Sequence, residues 1–283
     1  RSLETITIPS TVIKIERNAF CECINLKEIA IPSSVKFIGS YAFWGCSSLS
    51  KIEIPPSVKK ICYGAFHHCK ALIQINIPPK MKIIQDYLFY QCESLKQIEI
   101  PPSVTMIGEY AFLACTSLID VKIPSSVTQI CDEAFQYCTS LKRIEISSFI
   151  NKIPSLCFGY CKSLTEVKIP SSVESIENCA FQHCESLEEI TIPSSIKLIE
   201  CCAFKECSSL KNVTFELPSS LEKIGNETFQ KCELLKQIII PSSVTSIGKD
   251  VFNECFSLTQ ISIPSSLSEL NIGIDSKTNI IFY

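Results

Sequence analysis

The feature that most constrains this chain is a repeat of 23 residues. Phenylalanine recurs every 23 residues from Phe20 to Phe204, and two further steps of 25 and 23 residues lead to Phe229 and Phe252. Each of these eleven phenylalanines is followed by a cysteine after three residues and by a leucine after six. A unit this short cannot bury its own apolar side chains, so neighbouring units must stack and share a core.

The spacing of apolar residues changes within each unit, whose pattern is L-x-x-I-x-I-P-S-S-V-x-x-I-G-x-x-A-F-x-x-C-x-S-L. The isoleucines of the I-x-I segment, such as Ile29 and Ile31, are two residues apart and therefore share one side of a strand. The proline that follows ends the strand because it lacks an N–H group and has a fixed φ. Later apolar residues recur at intervals of about three, as on a short helical or 3₁₀ turn: Ala42, Phe43, Cys46 and Leu49.

The sequence therefore predicts a right-handed, strand-dominated repeat solenoid of the α/β type. We expect one long parallel sheet, short helical turns on the other side, and a row of phenylalanine rings inside. Residues 1–283 are expected to form a single array of about twelve units, with an irregular C-terminal unit at 264–283. A two-residue insertion near 214–218 is expected to form a β-bulge. The chain begins within a unit, so we expect preceding residues to cover the first strand.

The repeat motif resembles the BspA-like (Treponema-type) leucine-rich repeats of gut and oral bacteria and of anaerobic protists such as Entamoeba and Trichomonas. The resemblance covers nearly the whole chain. It implies a right-handed leucine-rich-repeat superhelix and non-enzymatic protein binding, often as the adhesion or recognition module of a cell-surface protein. The alternative is an intracellular scaffold module of a larger signalling protein, and a purely structural spacer is a third option.

Composition and motifs exclude several other classes of function. The net charge of −3 and the pI of about 5.8 give no electrostatic reason to bind nucleic acid or an anionic membrane. No apolar run is long enough to span a bilayer, so we expect no membrane insertion by this segment. His67 and His68 lie five units from His183, too far apart to share a metal. We therefore expect no enzyme activity, no catalytic residue, no cofactor and no metal site.

Eleven of the 18 cysteines occupy the repeat position, where we expect them to be reduced and buried as small apolar side chains. Two others, Cys179 and Cys202, occupy one position in adjacent units and are near enough to pair, which the sequence leaves open. So many thiols suit a reducing cytosol or the surface of an anaerobe. The location therefore stays open between the cytoplasm, on thiol content, and the cell surface, on the family resemblance.

Two surfaces are candidates for binding a protein ligand of unknown identity or a second copy of the chain. One is the outward side of the strands, where mixed charges fit either a partner site, as the family's concave face implies, or an ordinary solvated face: Glu53, Glu99, Lys122 and Glu145. The other lies on the turn side, where six rings form either an exposed stripe typical of interfaces or a self-packed ladder: Tyr41, Trp44, His67, Tyr87, Tyr90 and Tyr110.

Overall fold

The structure is a computed structural model that describes residues 3–267 and 272–283. The chain is a strand-dominated parallel β-solenoid of about twelve turns, here called coils, each built from one repeat. It divides into two compact units, Arg1–Leu141 and Lys142–Tyr283. The single uninterrupted array over residues 1–283 stays a prediction.

Short strands make up the first unit. They are β1 (Thr5–Thr7), β2 (Lys14–Ile15), β3 (Glu28–Ala30), β4 (Phe37–Ile38), β5 (Lys51–Glu53), β6 (Lys60–Ile61), β7 (Gln74–Ile75), β8 (Ile83–Ile84), β9 (Met106–Ile107), β10 (Asp120–Lys122) and β11 (Gln129–Ile130).

The second unit follows the same plan. Its elements are β12 (Arg143–Glu145), β13 (Lys152–Ile153), β14 (Glu166–Lys168), β15 (Ser175–Ile176), β16 (Glu189–Ile192), β17 (Leu198–Ile199), β18 (Asn212–Phe215), β19 (Lys223–Ile224), β20 (Gln237–Ile239), β21 (Ser246–Ile247), β22 (Gln260–Ile263), a 3₁₀ helix (Ser265–Leu267) and β23 (Asn279–Phe282).

The strands form two rows rather than the one long sheet that the sequence predicted. The I-x-I segments pair in parallel, as β1, β3, β5 and β7 do in the first unit. Two-residue strands after the P-S-S turn pair in a second row, as β2, β4 and β6 do. The second row forms because equivalent extended residues of adjacent coils lie side by side, so their backbone groups can pair. Both rows are interrupted into shorter sheets.

The turn side contains no helix within the described residues, so the prediction of short helical turns is wrong. Alternate N–H groups between Tyr41 and Cys46 donate to the next coil, as Phe43 N–H does to the Ala65 carbonyl at 2.8 Å. The intervening N–H groups donate three residues back within the same coil. The backbone also enters the left-handed region twice per coil, at Tyr41 (φ 56°) and Gly45 (φ 70°). A right-handed helix cannot continue through such residues.

The core follows the repeat. The ten repeat-position phenylalanines from Phe43 to Phe252 are at most 1% exposed. Their rings stack from coil to coil within each unit, with centroids 5.3 Å apart for Phe43 and Phe66 and 5.3 Å apart for Phe181 and Phe204. The predicted internal row of phenylalanine rings is therefore confirmed within each unit.

Ten of the eleven repeat-position cysteines, from Cys46 to Cys255, are buried in the core as predicted, whereas Cys23 is half-buried. Their thiols do more than fill space. Cys69 Sγ donates a hydrogen bond to the Phe43 carbonyl of the preceding coil at 3.1 Å, and Cys207 Sγ donates to the Phe181 carbonyl at 3.2 Å. Each such carbonyl also accepts the backbone N–H of the cysteine in its own coil, as Phe43 does from Cys46. The thiol thus satisfies a second lone pair of a buried carbonyl.

Candidate functional site

The outward side of the I-x-I strands, here called the strand face, carries the predicted charged residues. Glu53 and Lys122 end β5 and β10, Glu145 ends β12 of the second unit, and all three are exposed. Glu99 is also exposed and follows Gln97, which pairs with the neighbouring coils through single bridges. The structure therefore places Glu53, Glu99 and Lys122 on one exposed face of the first unit and Glu145 on the equivalent face of the second.

The strand face of the first unit includes a shallow groove over β1, β3 and β5. The groove has a volume of about 430 Å³, and Glu28, Lys51 and Glu53 lie along it. In the next coil the Asn76 side-chain amide bonds both backbone groups of Ile54, at 2.7 and 2.8 Å. That amide satisfies the backbone groups of the residue that follows β5.

The turn side of the first unit carries the aromatic cluster: Tyr41, Trp44, Tyr63, His67, His68, Tyr87, Tyr90 and Tyr110. Tyr87 stacks on Tyr110 with centroids 4.6 Å apart, and His67 stacks on Tyr90 at 4.5 Å. Trp44 meets the edge of His67 at 6.3 Å. All eight side chains are half-buried, and their rings pack against one another. Self-packing leaves fewer ring faces for a partner than a fully exposed stripe offers.

Two further contacts shape the aromatic cluster. The Tyr41 ring lies over Gly64, where an added Cβ would come within 2.7 Å of the ring. The Arg17 guanidinium lies 6.0 Å from the centroid of the same ring, a distance that allows a cation–π interaction. Gly64 is therefore required by the close approach of Tyr41 from the preceding coil.

Burial sets the ionisation of the aromatic cluster. Burial, with the nearby His68, lowers the pKa of His67 to about 4, and burial also lowers the pKa of His68. Burial and a hydrogen bond with Glu133 raise the pKa of Tyr110 to about 12. Burial raises the pKa of Glu133 as well. The two histidines are thus neutral at pH 7, and the cluster offers a partner apolar rings and phenol hydroxyls rather than cations.

The second unit has a feature that the sequence did not lead us to predict, here called the apolar cleft. It has a volume of about 520 Å³ and lies on the strand face at β18 and β20. Phe215 and Ile238 are buried at its base, whereas Leu217, Ile239 and Tyr283 are 78%, 64% and 51% exposed. Among the described residues that line the cleft, none has a charged side chain. Ile239 could have indicated this cleft from the sequence, because it is an isoleucine at an outward strand position where most coils have polar residues.

The two-residue insertion shapes one side of this cleft, and the expected β-bulge is not formed. β16 and β18 pair without interruption from Glu189↔Asn212 to Ile192↔Phe215. The extra residues follow the strand, where the Glu216 carboxylate accepts the N–H of Ser194 at 3.2 Å and Leu217 is exposed. β18 pairs with β16 and β20 pairs with β22, so the row is interrupted between β18 and β20. No bulge forms because the two extra residues follow the paired residues of β18 and do not interrupt their pairing.

Ionisable groups outside the strand face cluster on the turn side of the second unit. His183 Nδ1 lies 3.1 Å from a Glu206 carboxylate oxygen, and Lys231 Nζ lies 3.3 Å from the other oxygen. Lys205 Nζ lies 2.6 Å from Glu227. Among residues 3–267 and 272–283, no group of three or more histidine, cysteine, aspartate or glutamate side chains is arranged to hold a metal ion. The same residues include no helix with the length and apolarity to cross a bilayer.

Comparison with known proteins agrees with this architecture. A family model described as the BspA type leucine rich repeat region matches residues 1–92, 59–188 and 151–280. A leucine rich cell surface protein from Faecalibacterium prausnitzii A2-165 has a similar structure, with a TM-score of 0.66 and 32% identity over 99% of this chain and 79% of that chain.

Two further solved structures are similar in fold. A leucine-rich repeat protein from Bacteroides ovatus ATCC 8483 has a TM-score of 0.58 at 24% identity, covering 99% of this chain and 92% of that one. One from Eubacterium ventriosum ATCC 27560 has a TM-score of 0.54 at 21% identity, covering 99% and 81%. A comparison with curated proteins finds no match. The family model and the Faecalibacterium relative show that this chain belongs to the BspA-type leucine-rich repeat family.

Proposed function

We propose that this chain is a non-enzymatic recognition module that binds a protein ligand on its strand face, centred on the apolar cleft of the second unit. The observation that carries this proposal is the exposure of Leu217 and Ile239 beside the cleft. Large apolar side chains grouped on an otherwise polar face are typical of interfaces. The cleft has the size and the apolar lining of a site that accepts a partner's side chains.

The charged columns have a different role in this proposal. Glu53, Glu99 and Lys122 are exposed on the strand face of the first unit, and Glu145 is exposed on the strand face of the second, so the exposed charges are of mixed sign. Exposed charges of mixed sign contribute more to association rate and specificity than to affinity. We therefore place the main part of the binding energy at the cleft and assign these four residues to partner selection.

The aromatic cluster is the second candidate surface. Trp44 borders a shallow notch of about 350 Å³ above Gly45, together with Ile24 and His68. Trp and Tyr are common at the centres of interfaces. The cluster's half-burial, by contrast, supports a role in holding adjacent coils together.

The setting in which binding occurs is also a proposal. The similar Faecalibacterium protein is a cell surface protein, which supports an adhesion or recognition role at a surface. The free thiols support the alternative of an intracellular scaffold, since the buried S–H groups act as donors only when reduced. Locating the tagged protein in its own cell, by fluorescence with and without permeabilisation, distinguishes the two settings.

The proposed function is tested by measuring affinity for a captured partner. Proteins cross-linked to the immobilised chain are identified by mass spectrometry, and the strongest binder is purified for calorimetric titration. Ile239→Asp is expected to weaken binding at least tenfold, because it places a charge in an apolar contact. Leu234→Asp is the matched control, since Leu234 is 43% exposed in the same unit and does not line the cleft.

Two double variants locate the site if Ile239→Asp has no effect. Loss of binding only with Trp44→Ala and Tyr90→Ala moves the site to the aromatic cluster and contradicts the strand face. Loss of binding only with Glu99→Ala and Glu145→Ala would keep the binding site on the strand face but show that the cleft is not its centre. Full binding by every variant, or no saturable binder for the wild-type chain, contradicts the proposal.

A further inference from the structure

Cys179 and Cys202 are held side by side on the turn side of the second unit. Each lies two residues before a core phenylalanine, in adjacent coils. The Cys179 N–H donates to the Cys201 carbonyl at 2.9 Å, which fixes one coil against the next. Both residues have a left-handed backbone, with φ of 55° and 59°, so the two side chains have the same orientation relative to their coils. Adjacent strands lie roughly 5 Å apart, a separation within the Cα range of disulfides.

The two thiols also contact each other. The Cys179 and Cys202 side chains are hydrogen-bonded together and are half-buried. The repeat-position thiols differ, because they are buried and donate to phenylalanine carbonyls, as Cys184 does to Phe158 at 3.3 Å. The half-buried pair is therefore free of the core's hydrogen bonds and lies where a small molecule can reach it.

Charged groups surround the pair. Glu227 Oε2 lies 3.9 Å from Cys202 Sγ and 2.6 Å from Lys205 Nζ. The Lys205 ammonium favours the thiolate that exchange requires, whereas Glu227 and burial oppose it. A raised thiol pKa slows exchange, so the oxidant is supplied in excess.

We propose that Cys179 and Cys202 are an oxidisable pair that forms a disulfide between adjacent coils by exchange with a small disulfide such as oxidised glutathione. One protein thiolate attacks the glutathione disulfide, forms a mixed disulfide and releases one glutathione thiolate. The second protein thiolate attacks the protein sulfur of that mixed disulfide and releases the other glutathione. The chain loses two electrons and two protons, and oxidised glutathione becomes two molecules of glutathione.

The sequence supplies matched controls for this chemistry. Cys62 and Cys131 are half-buried like the pair. Neither has a cysteine at its own position in an adjacent unit, where Cys62 has Gly39 and Gln85 as counterparts. They are therefore expected to take up glutathione without closing a second bond.

The test is incubation of the folded chain with excess oxidised glutathione, followed by blocking of the remaining thiols and peptide mapping by mass spectrometry. The wild-type chain is expected to gain one bond between Cys179 and Cys202, so that neither of these two cysteines carries the blocking group or a glutathione. C202S is expected to stop at a mixed disulfide on Cys179. C131S is expected to form the same Cys179–Cys202 bond as the wild type.

Three results overturn the proposal. The first is a wild-type chain in which Cys179 and Cys202 both remain reduced. The second is a wild-type chain that stops at a mixed disulfide on either residue, because the second thiol is then out of reach. The third is a bond that joins either cysteine to another position. None of these results depends on the proposed protein ligand.

Discussion

The turn sides of the two units have the same backbone hydrogen bonds but different types of side chain. In the first unit several positions two before or one after a core phenylalanine hold rings, such as Tyr87 and Tyr90, whereas in the second unit the same positions beside Phe204 hold Cys202 and Lys205. The backbone bonds are nevertheless the same, since Phe43 donates to Ala65 and Phe181 donates to Ala203, both at 2.8 Å. The interior columns therefore determine the coil, and the turn-side residues vary without altering it.

The largest expected effect tests whether each unit has a phenylalanine core. Phe112→Ala in the first unit and Phe204→Ala in the second should each cost about 3–5 kcal/mol of unfolding free energy, because each removes a buried ring between two stacked neighbours. Urea denaturation of both variants measures the cost. A cost below about 1 kcal/mol in either unit would mean that its phenylalanine column is not core.

The second prediction concerns the thiol donors, which both units also share. Cys92→Ala and Cys207→Ala should each cost about 1–3 kcal/mol, because each leaves a buried phenylalanine carbonyl with one partner fewer. Cys62→Ala is the control, since Cys62 is half-buried and outside that column, and it should cost less than about 0.5 kcal/mol. Equal costs for all three, measured by urea denaturation, would show that the S–H···O bonds do not matter.

The third prediction separates the two turn sides. A double-mutant cycle of Tyr87→Ala and Tyr110→Ala should give a coupling of about 0.5–1.5 kcal/mol, since the rings stack at 4.6 Å. The same cycle with Lys205→Ala and Glu227→Ala should give at most about 1 kcal/mol, because that ion pair is partly exposed. High salt should weaken only the second coupling. A salt-sensitive aromatic coupling would contradict this contrast.

The fourth prediction is a pH dependence that His67 gives to the stability of the first unit. Burial and His68 lower the pKa of His67 to about 4, whereas an unfolded histidine titrates near about 6.5. The unfolded chain therefore binds the extra proton first as the pH falls, and stability is lost between about pH 6.5 and 4. With allowance for solvent exposure, we expect His67 to contribute about 1–2 kcal/mol of this loss.

His67→Gln provides the comparison, because Gln182 occupies the equivalent position in the second unit. Urea midpoints measured at pH 7.5 and 4.5 should differ less for the variant than for the wild type. An unchanged difference would mean that His67 is not the group responsible.

The sequence was most informative where one residue type repeats. The phenylalanine column predicted the core, and the cysteine column predicted the burial of its thiols, because both side chains point inward in every coil. The left-handed residues have no such signal, since Tyr41, Cys179 and Glu227 all occupy one position. The second row of strands was missed because its strands, such as β4, have only two residues. Hydrogen bonds of the thiols depend on coil-to-coil geometry, which the pattern does not contain.

The candidate site was less predictable than the fold. The exposed charges on the strand face follow from the I-x-I alternation, so Glu53 and Glu99 could be placed from the pattern. The apolar cleft could not be predicted from the pattern, because Ile239 lines it together with Leu217 and Tyr283, which are distant in the sequence. The aromatic cluster could be located, but its mutual packing required the structure.

The most direct test of the central claim is photochemical carbene footprinting of the chain with and without its purified partner. Recognition through the apolar cleft predicts that labelling of Leu217, Ile239 and Tyr283 falls on binding, while labelling of Trp44 and Tyr90 stays unchanged. Protection of Trp44 and Tyr90 alone, with full labelling of Ile239, would contradict recognition through the strand face.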